Sequence, residues 1–451
     1  MATATNKFNL QVAKQTAKGA AATAPAYFLE LLEGGLKSPP TVDTLNSMDG
    51  GIWTPSHKRI GYVDAGGAPV MLVSPKMAPL IFYAGLGGLA TTGAADPWTH
   101  TITPATSLTS FPYLSGWELF DDQWTFFRDL QVSGFILEVA VASKFMRLTP
   151  TFVGMAKEKK VAAPTPATQE DDVGHWLDAE GYWVMNGDLT NIFYGGIPTD
   201  LTTAYTWCTA YKAAYNAHCA VSSGVHHKAA DAVNVIAAST PTDLPTLISF
   251  LGEVKTDYNA HVVSTTVHYF ADVRTLSYGT LTTLADCLAA IEEVQGYKNA
   301  PGDYNGHLGA TAALRNLRFE VNMGATPLQG ESMVPYTVKR KRGAINCAVE
   351  MLLEDFRMMN LVKFGDPAPA VGTETTSEIQ HGSLNVKFTL QTTGNERSVQ
   401  IIVPQFDFDP AGVMDTVGNP EGDEIYLTLG GEASGTAPIA SVIVKNSVST
   451  Y

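Results

Sequence analysis

A short signature, Tyr-Asn-x-His, returns three times in the middle of this chain, and it limits the fold more than any other feature. It occupies residues 215–218 and 258–261 and, with Gly306 in the third place, residues 304–307. The lysines ahead of each copy, Lys212, Lys255 and Lys298, are 43 residues apart, and the third copy gains three residues around Pro301 and Gly302. A period of this size marks a helical unit that cannot bury its apolar face alone and must pack on its neighbours. The helices themselves are legible. Leu244, Leu247, Ile248, Leu251, Val254, Tyr258 and His261 recur every three or four residues, as do Leu281, Leu284, Leu288, Ile291 and Val294. Leu201, Tyr205, Cys208, Lys212 and Tyr215 trace a third stripe, with the Lys212 stem lying over it. Such spacing puts one apolar face on each helix. The third copy stops at its signature and is expected to close the stack.

On both sides of this zone the period changes from three or four to two. Leu317, Phe319 and Val321 alternate with Arg318, Glu320 and Asn322, and Leu384, Val386, Phe388 and Leu390 alternate with Asn385, Lys387 and Thr389. Ile345, Cys347, Val349, Met351 and Leu353 form another row. Residues 135–141 and 145–153 read as a strand pair, as do 425–429 and 441–445. Alternation means half-buried strands, and many short strands with frequent turns argue for an antiparallel sandwich or barrel. Neither strand zone looks complete alone. The expected fold is therefore mainly β, split by an inserted α-helical repeat domain that projects outward from an exposed loop. The expected organisation is an N-terminal arm (1–51), a first β part (52–189), the helical insert (190–309) and a second β part (310–451).

Composition excludes several classes. Hydrophobic residues make up 45% and charged residues 16% of the 451, so a large core can be buried and wholesale disorder is ruled out. The 44 acidic residues outnumber the 29 basic ones, giving a net charge of -15, opposite to that of a protein that reads DNA through its phosphates. An acidic wall could still let a duplex slide past without sticking. No apolar run reaches the roughly 20 residues of a membrane span. Residues 1–18 lack the pattern of a signal peptide, so the chain is expected to fold in the cytoplasm where it is made. Cys208, Cys219, Cys287 and Cys347 are too scattered for a disulfide framework and read as small buried hydrophobes.

Chemistry, if present, resides in the histidines. Six of ten (His218, His226, His227, His261, His268 and His307) lie in the helical zone. His218 ends one helix, His226 or His227 is expected to begin the next, and Asp231 follows one turn on. His261, His268 and Asp272 occupy the matching places in the second copy. His227 and Asp231, like His268 and Asp272, are four apart and would share a helix face. The candidate ligands of a divalent metal are thus His218, His227, Asp231, His261, His268 and Asp272, a histidine and carboxylate set suited to zinc or a similar ion. The simpler alternative is a polar clasp in which tyrosines pack, asparagines cap and aspartate holds an imidazole. Other signals are weak. The glycines of residues 85–88 open no phosphate-binding helix, no nucleophile elbow is present, and residues 169–172 read as a solvated linker. The basic run of Lys339, Arg340, Lys341 and Arg342 is expected on a turn, facing solvent or another protein surface.

The strand zones resemble the tail tube (major tail) proteins of long-tailed bacteriophages. DPWTHTITPA at 96–105, followed by residues 108–113, is similar to that family's HTFTP…LPSLT segment. FFRDLQVSGFILE at 126–138, ending in TPTFVG at 149–154, resembles its GCKVNSLSLSFEAGGIVTATVEFVG strand pair. Residues 314–322 and 335–355 resemble the opening of the family's second half. The resemblance covers about 7–188 and 310–451 and leaves out the helical zone, which minimal members lack. It implies a β-sandwich or barrel subunit, not an enzyme and with no cofactor. Such subunits form stacked rings, usually hexameric, through which genomic DNA passes unread into the host. The implied partners are other copies of the chain, the tape measure, the tail terminator and the baseplate or tip, in a virion tail assembled in the host cytoplasm and without a membrane. Residues 1–51, the loop at 98–117 and the C-terminal tail are the expected contacts between rings. The alternative is another virion structural or host-adhesion protein that uses the helical insert as a binding module.

Overall fold

Eighteen consecutive residues, Gln123–Ala140, form the longest strand of the computed structural model, and the sheet is built around it. The structure describes residues 8–45, 57–63, 65–108, 110–140, 145–155, 159–167, 178–185, 193, 197–222, 227, 229–268, 275–297, 300–301, 303–307, 310–311, 314–329, 335–352, 363–364, 371–374, 379, 381–391, 397–409, 426–435 and 438–451. Within these the protein is mainly β, with a large antiparallel sheet and five helices.

The ladder runs from Phe8–Lys14 through Leu114–Phe120 to Gln123–Ala140. From there it crosses to Leu314–Asn322, Ala344–Leu352 and Tyr426–Ala433. It continues through Arg397–Phe408, Ser441–Asn446 and Trp98–Pro104 to Gly87–Thr92. Alternation does what the sequence pattern asks. Leu317, Phe319 and Val321 are buried beside Ile345, Cys347 and Val349, and Leu384, Val386 and Phe388 beside Val399, Ile401 and Val403. On the outer face Arg318 donates to Glu138 and Glu320. The expected pair at 135–141 and 145–153 is Gln123–Ala140 against Phe145–Gly154. Residues 8–14 of the expected arm are themselves a strand of the sheet.

The first strand zone also holds a helix, α1 (Ala78–Leu86), that alternation could not reveal. Eight of its nine residues are buried, so it has no polar face to announce it. It sits inside the sheet's core, with Phe82 5.2 Å from the Phe135 ring. The glycines at 85–88 are explained by this packing. Gly85 faces Phe135 with no room for a Cβ, and Gly87 ends the helix at φ 88°, a left-handed conformation that favours glycine.

Two sequence segments take unexpected roles. His100, in the segment at 96–105, is fully buried and pins the C-terminal strand. Its Nε2–H donates to Asn446 and to the Val448 carbonyl, and its Nδ1 accepts from Thr91. Burial lowers its pKa, which keeps the ring neutral. The run at 339–342 is not uniformly a solvated turn either. Arg340 is 7% exposed, and its guanidinium lies 3.8 Å from the centre of the Phe111 ring. Its terminal nitrogens have no hydrogen-bond partner among the described residues. Burial lowers its pKa to about 10.

Strand Asp178–Met185 enters the sheet beside His381–Gln391, and its Trp183 and Val184 pair with Thr311 and Ala310. The last described strand before the helical zone therefore lies beside the first strand after it. Between these strands lie α2 (Leu201–Cys219), α3 (Leu244–Val262), α4 (Leu284–Gln295) and the short α5 (Asp303–His307). Their buried residues form a second core, separate from that of the sheet. No helix among the described residues is long and apolar enough to cross a membrane.

Gly134 lies where Gln123–Ala140 meets Leu314–Asn322, and a Cβ there would stand 2.2 Å from the Val321 carbonyl oxygen. Backbone cannot move aside as a side chain can. We therefore expect Gly134→Ala to destabilise the sheet by about 1–3 kcal/mol, read as a lowered thermal midpoint by circular dichroism. An unchanged midpoint would show that this crossing is not tightly packed.

Candidate metal centre

The three long helices of the second core, α2, α3 and α4, each begin with a reciprocal cap. Asp200 and Asp243 accept from the backbone N–H groups of Thr203 and Thr246, and the threonine hydroxyls answer the caps. In α4 the roles exchange, with Thr283 as cap and Asp286 as partner. Such caps fix where each helix starts, and hence which residues of its last turn point inward.

In α2 and α3 those residues are the tyrosine and histidine of the repeated signature. Tyr215 with His218, and Tyr258 with His261, stand three apart on one face, and all four are fully buried. In α5 Tyr304 and His307 repeat the pattern. The asparagine between them faces sideways and grips backbone. Asn216 donates to the Ile236 carbonyl and accepts from its N–H; Asn259 does the same with Leu276. Asn305 makes the equivalent pair with Phe193, ahead of the first helix. The last copy thus holds the segment that precedes the first.

This closure brings the histidines together. The Nε2 atoms of His218 and His227 are 3.1 Å apart, as are those of His218 and His261, and those of His227 and His268 are 3.0 Å apart. His307 joins them: the ligand atoms of His218, His261, His268 and His307 all lie within 4.8 Å of one another. A backbone bridge between His227 and His268 sets the last approach. All five rings are at most 2% exposed.

Two rings are oriented from behind. His227 Nδ1–H donates to the Val221 carbonyl at 2.9 Å, and His261 Nδ1–H donates to Asp231 Oδ2 at 2.9 Å. Both Nε2 lone pairs therefore point into the cluster. Burial raises the Asp231 pKa, but the N–H groups of Asn234 and Val233, the Asn234 amide and His261 outweigh it and hold it below the usual carboxylate range. Burial, with His218 nearby, lowers His261 to about 4 against the pull of Asp231. Burial, with His261 and His227 nearby, lowers His268 to about 3. Cys219 lies 3.9 Å from His261 Nδ1, on the outer side of that ring, and burial raises its thiol to about 12. It remains an S–H group. Convergent neutral imidazoles backed by a carboxylate and a carbonyl can hold a transition-metal cation.

Of the six expected ligand residues, His218, His227, His261 and His268 meet. Asp231 belongs to the site in a different place, behind His261 rather than beside His227. Residues 227 and 229–231 are not helical, so the spacing of four carries no shared face. Asp272 and His226 lie outside the described residues. His307 was missing from the expected set because its copy lacks the Val-His continuation. The signal was present all the same, since its own signature ends in histidine. The polar clasp is present as well: tyrosines pack, asparagines grip backbone and Asp231 holds an imidazole.

No protein-family model matches the chain, and no curated protein matches it significantly.

The asparagine grips give a direct test of how the site is assembled. Asn259→Ala leaves both a carbonyl and an N–H of buried Leu276 without their partner. It should cost about 2–4 kcal/mol of helical-core stability, seen as an early loss of helical circular dichroism on heating. Retention of wild-type melting would mean that the grip does not hold the copies together.

Proposed function

We propose that this chain is a virion structural protein, the subunit of a tail tube assembled from stacked, hexameric rings, through which viral DNA reaches the host. The observation that carries the reading is a pairing. The two segments most like the tube family, on either side of the helical zone, lie on adjoining strands, Gln123–Ala140 against Leu314–Asn322. Two-stranded ribbons add support. Among the described residues Pro40–Leu45 pairs only with His57–Val63, and Thr326–Gln329 only with Pro335–Lys339. Val42 and Leu328 are exposed on them. Isolated ribbons are marginal in water and gain stability from neighbours, as subunits repeated along an axis would provide. A net charge of -15 suits a conduit that does not retain DNA.

In this reading the helical zone is an insertion into one connection of the tube domain, facing outward. The adjacency of Trp183 and Val184 to Thr311 and Ala310 supports that, because a short turn could join the same two strands. The partners are further copies of the chain, the tape measure, the terminator and the baseplate or tip.

Negative-stain microscopy of the purified full chain should show rings or tubes with a central bore. Discrete monomers or trimers at all concentrations would sink the tube reading and favour a host-adhesion or other virion role. Replacement of residues 190–308 by a short Gly-Ser linker should leave tubes forming. Their loss, with the sheet still folded, would show that the helical zone is part of the wall.

A further inference from the structure

We propose that the five imidazoles of His218, His227, His261, His268 and His307 form an all-nitrogen site for one divalent first-row transition-metal ion, which staples the three repeats together. The inference rests on the helical core alone and stands or falls independently of the tube.

The hydrogen-bond geometry is the first argument. His227 and His261 each commit Nδ1–H to an oxygen, at Val221 and Asp231, so each presents a lone pair at Nε2. Both lone pairs lie 3.1 Å from the same atom, His218 Nε2. One ring N–H cannot serve two acceptors in line. The His227 lone pair also lies 3.0 Å from His268 Nε2. A cation at the centre of the cluster would give every one of these lone pairs a partner in line.

Size is the second argument. A cation about 2.1 Å from each nitrogen sets neighbouring nitrogens about 3.4 Å apart in a tetrahedron but about 3.0 Å apart at right angles. The separations of 3.0 and 3.1 Å that link His218, His227, His261 and His268 match the right-angled case, whereas the ligand atoms of His218, His261, His268 and His307 are spread over up to 4.8 Å and would draw in on a shared ion. The geometry points to a five- or six-coordinate ion held by imidazoles, the ligand that suits nickel, copper, iron and zinc. Among the described residues no carboxylate or thiolate joins the cluster, which argues against calcium or magnesium.

The third argument is topology. The ligands come from all three copies: His218 and His227, His261 and His268, and His307. Each copy alone offers too few nitrogens, so binding requires closure of the set, and the binding free energy becomes folding free energy. Asp231 acts through His261 as a positioning residue.

The test uses the untagged full chain, stripped with chelator and then titrated separately with Ni²⁺, Co²⁺ and Zn²⁺. About one equivalent should bind per chain and raise the melting temperature of the helical signal. Cobalt should give the weak visible bands of a five- or six-coordinate ion. Absorption fine structure of the nickel-loaded protein should show a nitrogen shell with imidazole scattering. Asp231→Asn should weaken affinity about 10–100-fold, while His261→Ala with His268→Ala should abolish stoichiometric binding. If that double variant unfolds the helical core, the fine structure of the wild-type protein still decides. Absence of binding by all three ions, an oxygen- or sulfur-dominated shell, or undiminished binding by a folded double variant would each overturn the proposal. An intense tetrahedral cobalt spectrum would overturn its coordination number.

Discussion

Gln123–Ala140 is shared among four partners, and the sheet takes its order from how that strand divides itself. Its first half lies between Leu114–Phe120 and Lys159–Val161, and its second half between Phe145–Gly154 and Leu314–Asn322. The change of partners falls at a register shift between Val132 and Gly134, just after Asp129 at a φ of 58°. Irregularities of this kind bend and twist a strand so that its two halves can serve different faces. All residues from 129 to 135 are buried, which is what a strand covered on both sides requires. The ladder from Leu314–Asn322 onward is reached through this crossing, one of several places where the second half of the chain joins the first, with Ser441–Asn446 on Trp98–Pro104 and His381–Gln391 on Asp178–Met185.

The helical core solves the same problem, that of joining segments distant in sequence, by another means. The sheet uses ladders of backbone hydrogen bonds. The helices have none to spare, since their backbone groups bond within the helix, so side chains take over the task. An asparagine in each copy mimics one rung of a ladder by donating to a carbonyl and accepting from the N–H of the same residue. The third rung, from Asn305 to Phe193, makes the arrangement close on itself instead of extending as an open stack. Closure has a chemical result. An open stack would leave each signature histidine beside one neighbour, whereas closure turns the histidines of every copy towards a common centre.

Much of this was legible in the sequence because periodicity is a local property. The alternating rows at 317–321 and 384–388 and the apolar stripe from Leu247 to Tyr258 appear in the structure as the buried faces of their elements. Helix α1 was not legible because burial on every side removes the contrast that periodicity needs. Arg340 is not legible because a charged residue in a charged run looks solvated, whereas Phe111, more than two hundred residues away, stacks against its guanidinium. At the histidines, residue identities were readable and their partnerships were not. Asp231 pairs with a histidine thirty residues on rather than with His227. Spacing within one copy says nothing about contacts between copies, and those join His218 to His261, His227 to His268 and Asp231 to His261.

The two cores make different demands on stability, which bears on why a cation would be useful in one of them. The sheet's core is large and apolar, and each strand is held by backbone bonds that no single side chain controls. The helical core is smaller and has polar groups at its centre: the buried histidines, Asp231, and a Tyr211 hydroxyl without a hydrogen-bond partner among the described residues. Burying neutral imidazoles against one another gains little from the hydrophobic effect and loses their hydration. Apolar side chains of similar volume would fill the space at lower cost, yet the signature places histidine there in all three copies. Packing alone does not explain that choice. A shared ligand would, because it would turn the most costly part of the core into a contact common to all three copies and make the fold of each depend on the presence of the other two.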